Sequence, residues 1–422
     1  MITFNIAIID ADLIGRKKHR FPNLVCMKLS GYYKEQGHNV SLIADYKDLY
    51  MQENIWVEYQ NAISKYANNQ NGKIQNLLGE KMIPCFQKTN FKHDKIFISK
   101  VFTDTQIDED FLQLDFVEYG GTGFFYDKAE PLPDYIEHHK PDYHLYDDWV
   151  KEQIENGCKK VEFKYYTDYS IGFTTRGCFR QCQFCVNKNY KSVKIHSPIE
   201  EFINNNRKYI CLLDDNILGS GKWKSIVEKL QATGKSFEFK QGMDLRLMTK
   251  EKTEILSKSK YIGDYIFAFD NIEDREAIEN KLRLWRSYCS KTSKFYVFCG
   301  FDRKDKWDYD FWVNDIQDTF ERVKILMRFG CLSYIMRFER YKESPYAGTY
   351  INLARWCNQP NFYKKMSYRE FCIANGENSS TMRYFNKFET DHPEIAKRYY
   401  DIRFQQKINE KHKNDKLINA VI

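Results

Sequence analysis

No apolar run in this 422-residue sequence is long enough to span a membrane, and the run inside the opening MITFNIAIIDADLIGRKKHR is far too short for a secretory leader. A cytosolic chain is therefore expected. Internal repeats and low-complexity linkers are missing too, so repeat arrays are not indicated. Charge of one sign is not in excess: the net value is +7, spread along the chain instead of gathered in a block. That balance permits contact with nucleic acid without arguing for it. Two glycine-rich stretches lack what a phosphate or dinucleotide site needs. LGSGKW (218–223) has Asn216 where a phosphate loop requires glycine, and Trp223 comes directly after its lysine. GGTGFF (120–125) runs into Tyr126 where the dinucleotide fingerprint needs its last glycine, and reads as a tight post-strand turn. Twelve cysteines in a long cytosolic chain do not make a disulfide framework. Clustered ones suggest metal and scattered ones buried thiols.

The chain is long enough for two or three domains, and its 42% hydrophobic and 29% charged residues read as globular. Aromatic residues reach 16%, which suits stacking pockets but by default builds a large aromatic core. Short apolar strands alternate with helical patterns. FNIAIID (4–10), NVSLIAD (39–45), DKIFISKVF (94–102) and DFVEYGG (115–121) read as strands, and NLVCMKLSGYYKEQG (23–37) as a helix stopped by Gly37. The polar stretch 50–90 reads as helix plus loop. This alternation predicts a parallel, doubly wound sheet. A second series starts at DYSIGFTTRGC (168–178). It continues through strands at 209–215, 237–248, 265–270, 294–302 and 331–339, with helices at 222–234 and 315–330. Six strands with intervening helices predict an open, partial β/α barrel. The expected fold class is thus α/β. A Rossmann-like domain (1–150) precedes a partial (β/α)6 barrel (160–345) and a mainly helical C-terminal region (346–422).

The chemistry concentrates in TTRGCFRQCQFCVNKNY (174–190), where Cys178, Cys182 and Cys185 are spaced C-x3-C-x2-C. The next cysteine is Cys211. A structural zinc site wants four ligands, usually as two close pairs. An iron–sulfur cube that only carries electrons also takes four thiolates. With three, one iron keeps an open position for a small molecule. The competing reading is a zinc or four-cysteine electron-transfer site that borrows Cys158 or Cys211. In spacing and strand–loop context the stretch resembles the radical S-adenosylmethionine (radical SAM) superfamily, whose signature carries an aromatic just before the third cysteine, here Phe184. The resemblance implies a 4Fe-4S cluster on Cys178, Cys182 and Cys185 with S-adenosylmethionine chelated at the fourth iron. Reductive cleavage of that sulfonium would give a 5′-deoxyadenosyl radical that abstracts hydrogen from substrate.

In a β/α barrel the chemistry lies at the C-terminal ends of the strands. There the resemblance suggests Phe184, Asp214, Gln241, Asp270 and Arg337 as cofactor contacts, and Asp215, Asn216, Asp244, Arg246, Asp302 and Glu339 as substrate contacts. Each alone is also an ordinary helix cap or turn former. Together, several carboxylates around one cavity suit a donor-rich ligand such as a guanine-like base. A Rossmann-like domain ahead of such a barrel resembles the cobalamin-dependent branch of the superfamily, which often carries D-x-H-x-x-G after its first strand. This chain reads Asp10-Ala-Asp12-Leu-Ile-Gly15, with a hard carboxylate in the histidine's place. The expected cofactors are therefore a 4Fe-4S cluster and S-adenosylmethionine, with cobalamin not expected.

No second cysteine cluster is present, which speaks against the auxiliary clusters of peptide-maturing and sulfur-inserting members. The whole-chain layout resembles the queuine lyases. That resemblance implies a lyase that splits queuine and leaves a 7-aminomethyl-7-deazaguanine base. The alternatives are a cobalamin-dependent-type radical SAM methyltransferase, a tRNA- or protein-modifying radical SAM enzyme, and, furthest off, a non-catalytic iron–sulfur or zinc-binding protein. Expected partners are a small-molecule substrate, a deazapurine base foremost, and an electron donor such as flavodoxin or ferredoxin. No membrane is expected, and nucleic acid is admitted but not favoured. RKKHR (16–20) and KINEKHKNDK (407–416) read as solvated basic faces, and YINLARWCN (350–358) as core packing around Trp356 and Cys357.

Overall fold

NIAIID forms strand β1 (Asn5–Asp10), and every residue after Asn5 is buried. A run apolar at successive positions, not alternate ones, is what a parallel strand covered on both faces requires. The computed structural model describes residues 2–15, 19–45 and 92–405. The helix-plus-loop expected at 50–90, positions 16–18 of RKKHR, and the basic run at 407–416 lie outside the described residues. The chain divides into two compact units, Met1–Gly172 with Ser197–Tyr209, and Phe173–His196 with Ile210–Ile422.

In the first unit β1 is joined by β2 (Asn39–Leu42), β3 (Lys95–Ser99) and β4 (Val117–Gly120) in the order β2-β1-β3-β4. All three pairings are parallel, with Ile8 opposite Leu42, Asp10 opposite Ser99, and Ser99 opposite Gly120. One face packs Ala7, Ile9, Ile96 and Ile98 against Phe111 and Phe116. The other packs Ile6, Ile8 and Phe97 against Cys26, Met27, Tyr143 and Tyr166. The helix Leu24–Glu35 covers this second face. Asn23 starts it by accepting from Val25 N and Cys26 N, and Gly37 (φ +83°) turns the chain out of it. Strand β5 (Tyr169–Gly172) ends the first of the unit's two segments and is buried throughout.

The second unit begins with a hairpin of β6 (Thr175–Arg176) and β7 (Lys194–Ile195), antiparallel with Thr175 opposite Ile195. The cysteine loop lies between these two short strands. Strand β8 (Tyr209–Leu212) neighbours β9 (Ser236–Phe239). Two isolated parallel bridges, Phe237 with Tyr261 and Met243 with Phe267, lead on to β10 (Tyr265–Ala268). The parallel set β10-β11-β12 is completed by β11 (Ser293–Cys299) and β12 (Leu332–Arg337). Intervening helices match the amphipathic stretches, Trp223–Ala232 and Tyr309–Arg328 among them. The fold is thus mixed α/β, with parallel sheets and many helices. The C-terminal helices bury Trp356 and Cys357, as expected for core residues. Seven scattered cysteines (26, 211, 289, 299, 331, 357 and 372) are buried.

The expected strand at 237–248 is the most shortened: regular pairing ends at Phe239, Met243 keeps one isolated bridge, and Asp244 then caps a 3-10 turn (Leu245–Leu247) by accepting from Arg246 N. Among the described residues no helix is long and apolar enough to cross a membrane.

Candidate functional site

The loop that carries Cys178, Cys182 and Cys185 is built on left-handed backbone at Gly177 (φ +91°) and Gln181 (φ +49°). At Gly177 a Cβ would stand 2.5 Å from Ser192 O and 2.8 Å from the Tyr190 ring, so glycine is required on both conformational and steric grounds. All three cysteines are half-buried.

Three successive residues beyond the end of β8 hold this loop. Asp214 Oδ1 accepts from Thr174 Oγ1 (2.6 Å), Thr175 N (2.6 Å) and Thr175 Oγ1 (2.7 Å), while its Oδ2 accepts from Thr174 N (3.1 Å). Asp215 reaches both ends of the loop, accepting from Gly177 N (2.6 Å) just before the first cysteine and from Asn187 Nδ2 (2.6 Å) just after the third. Asn216 donates Nδ2 to Cys178 Sγ at 3.4 Å. Cys178 Sγ also accepts from Arg180 N (3.5 Å), and Cys185 Sγ from Asn187 N (3.3 Å).

A second tether starts inside the motif. Arg180 donates Nε to Asp244 Oδ2 (2.6 Å). Asp244 Oδ1 accepts from Arg246 Nε (2.8 Å), and Arg246 reaches Asp274 (2.6 Å). Burial opposes the charge of Arg246, but the hydrogen bonds and charges of Asp244 and Asp274 win and hold its guanidinium above its ordinary value. Phe184 lies against Phe298 (ring centroids 4.2 Å) and Phe301 (5.6 Å), an apolar cluster beside the loop. Asp270, after β10, accepts from Phe298 N (3.1 Å). Arg322 clamps the neighbouring strand ends by donating Nη1 to the carbonyls of Phe269, Asp270 and Phe298.

Burial raises the thiols of Cys182 and Cys185. The negative fields of Asp270 and of each other add to it for Cys182, and those of Asp215, Cys178 and Asp270 for Cys185. Burial likewise raises Asp270 and Asp215, although Phe298 N, Arg322 and Arg246 oppose it at Asp270, and Gly177 N, Arg176 and His196 at Asp215. A cationic iron cluster relieves this crowding, because metal charge takes the place of the thiol protons. In donor chemistry the three cysteines therefore fit an iron–sulfur cube. Among the described residues no three His, Cys, Asp or Glu side chains are grouped closely enough to hold a single metal ion.

The other residues singled out in the sequence serve local structure or stand at strand ends. Gln241 is exposed after β9, and Glu339 is exposed at the start of a 3-10 helix. Arg337 ends β12 with its guanidinium 4.4 Å from the Tyr341 ring. Asp302 organises its own turn, accepting from Lys304 N, Lys306 N and Trp307 N. Cys211 is buried within β8, and Cys158, in the first unit, accepts from Arg20 Nη2 at 3.7 Å. Sequence reasoning missed Thr174, Thr175, Arg180, Asn187 and Arg322. Four of these lie inside or beside the motif, where a donor before or after a cysteine is the only local signal. Arg322 carries no local signal at all.

In the first unit, Asp10 and Asp12 stand at the switch between β1 and β3. Tyr146 OH donates to Asp10 (2.9 Å), and Asp12 accepts from Val101 N (2.8 Å) and Thr105 Oγ1 (2.6 Å). Both oxygens of Asp12 are thus engaged within the protein, and its carboxylate does not fit the role of a cobalt ligand.

No protein-family model and no curated protein matches the sequence. Two solved structures do, both of the cobalamin-dependent S-adenosylmethionine radical enzyme OxsB. The form with aqua-cobalamin and S-adenosylmethionine bound is 14% identical, with a TM-score of 0.41 over 99% of this chain and 66% of that one. The form with aqua-cobalamin alone is 12% identical, with a TM-score of 0.33 over 95% of this chain and 57% of that one. The chain therefore spans less than two thirds of the length of the structures it matches. Both are of a cobalamin-dependent enzyme, which stands against the expectation that cobalamin is not among the cofactors.

Proposed function

We propose that this chain is a radical SAM enzyme that holds a 4Fe-4S cluster on Cys178, Cys182 and Cys185 and acts on a small molecule. The observation that carries the reading is the three-cysteine loop itself. It is pinned at both ends and at its first sulfur by Asp214, Asp215 and Asn216, beyond the carboxyl end of β8. Such investment in the geometry of three thiols suits a cluster with one iron left for a ligand. When bound, the cluster and S-adenosylmethionine supply a 5′-deoxyadenosyl radical that abstracts hydrogen from substrate. The chain's own share is to fix the loop through Asp214, Asp215 and the Arg180–Asp244–Arg246 tether, and to exclude water with Phe184 and Phe298. Asp270, Gln241 and Arg337 are proposed to meet cofactor or substrate at the strand ends. In this reading the later parallel strands are a partial barrel, with a Rossmann-like domain before it and a helical region after it.

Anaerobic reconstitution tests it. Iron and sulfide near four per chain, with deoxyadenosine formed from S-adenosylmethionine and dithionite, are expected. Cys182→Ala should abolish both, and undiminished deoxyadenosine from that variant overturns the assignment.

A narrower reading, an enzyme of the cobalamin-dependent type, is favoured by the all-parallel order β2-β1-β3-β4 in the first unit. Ligands of such sheets bind beyond the strand ends at the switch point, here between β1 and β3. Titration with aqua-cobalamin, read by its visible spectrum, tests this reading, and an unchanged spectrum at saturating protein removes it. The queuine-lyase expectation finds no selective feature in the site, and the cobalamin-dependent alternative displaces it. Asp12, with both oxygens already accepting hydrogen bonds, would not serve as the cobalt ligand.

A further inference from the structure

We propose that Asn216 is a positioning residue that tunes the potential of the cluster through the hydrogen bond from its Nδ2 to Cys178 Sγ. The inference rests on the cluster reading above and deepens it. The three candidate ligands are not equivalent. Cys178 Sγ accepts two N–H groups, Cys185 Sγ accepts one, and among the described residues Cys182 Sγ has no donor. Two of these donors are main-chain amides that the loop's own turns supply. Asn216 is the one side chain among them, so it is the donor that the residue type decides.

Its surroundings show that the amide is held deliberately. Asn216 is 3% exposed and stands directly before the 3-10 turn Ile217–Gly219 that follows β8. Gly219 lies beside it, where a Cβ would crowd the Phe179 ring at 2.9 Å and come to 3.4 Å from Asn216 Nδ2. Asn216 Oδ1 is buried and has no hydrogen-bond partner among the described residues. An unpaired buried carbonyl is costly, so a side chain needed only for packing would be better as an apolar one. The bond to sulfur is the compensation, and it is weak toward a neutral thiol. Toward a thiolate on iron it becomes charge-assisted. Each electron added to the cluster puts more negative charge on the ligating sulfurs, so the reduced state gains most from the N–H group. Hydrogen bonds to cluster sulfurs are one of the levers that set such potentials.

The test is a redox titration of the reconstituted chain, monitored by the electron paramagnetic resonance of the reduced cluster. The wild-type chain is the control for the underlying reading. If it assembles no four-iron cluster, that reading fails before any variant is compared. With the cluster present, Asn216→Ala should retain near-stoichiometric iron and titrate at a lower potential than wild type. Asn216→Asp, which replaces the donor with an acid, should shift it further the same way. An Asn216→Ala cluster with the wild-type potential and spectrum overturns the proposal. Should Asn216→Ala lose its iron, Asn216→Ser, which keeps a hydroxyl donor, decides: iron regained at a potential near wild type supports the donor role. Iron lost in both variants, or regained by Ser at a potential clearly below wild type, makes Asn216 a packing residue and overturns the proposal.

Discussion

Asp214 offers the sharpest perturbation of the loop, because one carboxylate takes four donors from two adjacent residues. In Asp214→Ala the two threonine hydroxyls can rotate toward other acceptors, but the amides of Thr174 and Thr175 are fixed by the backbone. A buried donor left unpaired costs about 1–3 kcal/mol, so two of them weigh about 2–6 kcal/mol. The loss is partly offset, since burial penalises this carboxylate enough to raise its pKa despite all its hydrogen bonds. Asp214→Asn keeps Oδ1 for three donors and turns an NH2 group toward Thr174 N, stranding one amide for about 1–3 kcal/mol. At about 1.4 kcal/mol per factor of ten, the low ends correspond to roughly 30-fold for Ala and roughly 5-fold for Asn. Hydrogen exchange of the peptide covering 173–190, measured by mass spectrometry, reads this as faster exchange at Thr174 and Thr175. The helix Tyr309–Arg328 serves as the unchanged control. Iron content after reconstitution should fall in the same order, wild type above Asn above Ala. Exchange in Asp214→Ala as slow as in wild type would refute the view that this carboxylate anchors the cysteine loop.

Three further perturbations probe the same chain. Burial pushes Asp10 up to about 7 from its ordinary 3.8, so the folded state holds this proton more tightly than the unfolded chain. Stability of the first unit is then highest below pH 4 as far as Asp10 is concerned, and it declines as pH rises to about 7. Its upper bound, at about 1.4 kcal/mol for each pH unit of that gap, is about 4 kcal/mol. Thermal melts at pH 5 and pH 8 should show the decline, and Asp10→Asn should flatten it. Asp244→Ala leaves both Arg180 and Arg246 without their shared carboxylate, whereas Arg180→Ala leaves Asp244 still paired with Arg246. The Asp244 variant should therefore lose more iron and more thermal stability, by about 3 kcal/mol against about 1 kcal/mol; equal losses would contradict the tether. Gly177→Ala meets a left-handed backbone and a Cβ 2.5 Å from Ser192 O, so it should fold with a displaced loop and assemble little cluster in the iron and sulfide assay.

Much of the fold was legible because a parallel strand covered on both faces leaves an unbroken apolar run, as IAII in β1 does. Strand ends were less legible where polar residues interrupt the pattern. The strand read through 237–248 stops at Phe239, and the residues after it are shaped by side-chain capping at Asp244, which apolar periodicity does not register. The helix read as starting at 315 begins at Tyr309, with Asp308 accepting from Phe311 N as its cap. In YDFWVND the polar and apolar positions are too mixed to mark that first turn.

At the site, the spacing of the cysteines was readable because it is local, and the roles of the acids were not, because direction is not. A carboxylate after a strand can look toward a ligand or back at the chain, and composition is the same in both cases. In the sequence Asp214, Asp215 and Asn216 read as contacts to cofactor or substrate. In the fold all three turn to the cysteine loop, to its approach, to both of its ends, and to its first sulfur. An extended strand would send neighbours to opposite faces. Three in a row can serve one loop only because β8 has already ended at Leu212 and the chain is bending into the 3-10 turn Ile217–Gly219. The same bend brings the amide of Asn216 to a sulfur and buries its carbonyl unpaired. Loop and strand end are therefore one unit of design: the cysteines supply the thiols, and the residues that look like ligand contacts in the sequence decide where those thiols stand.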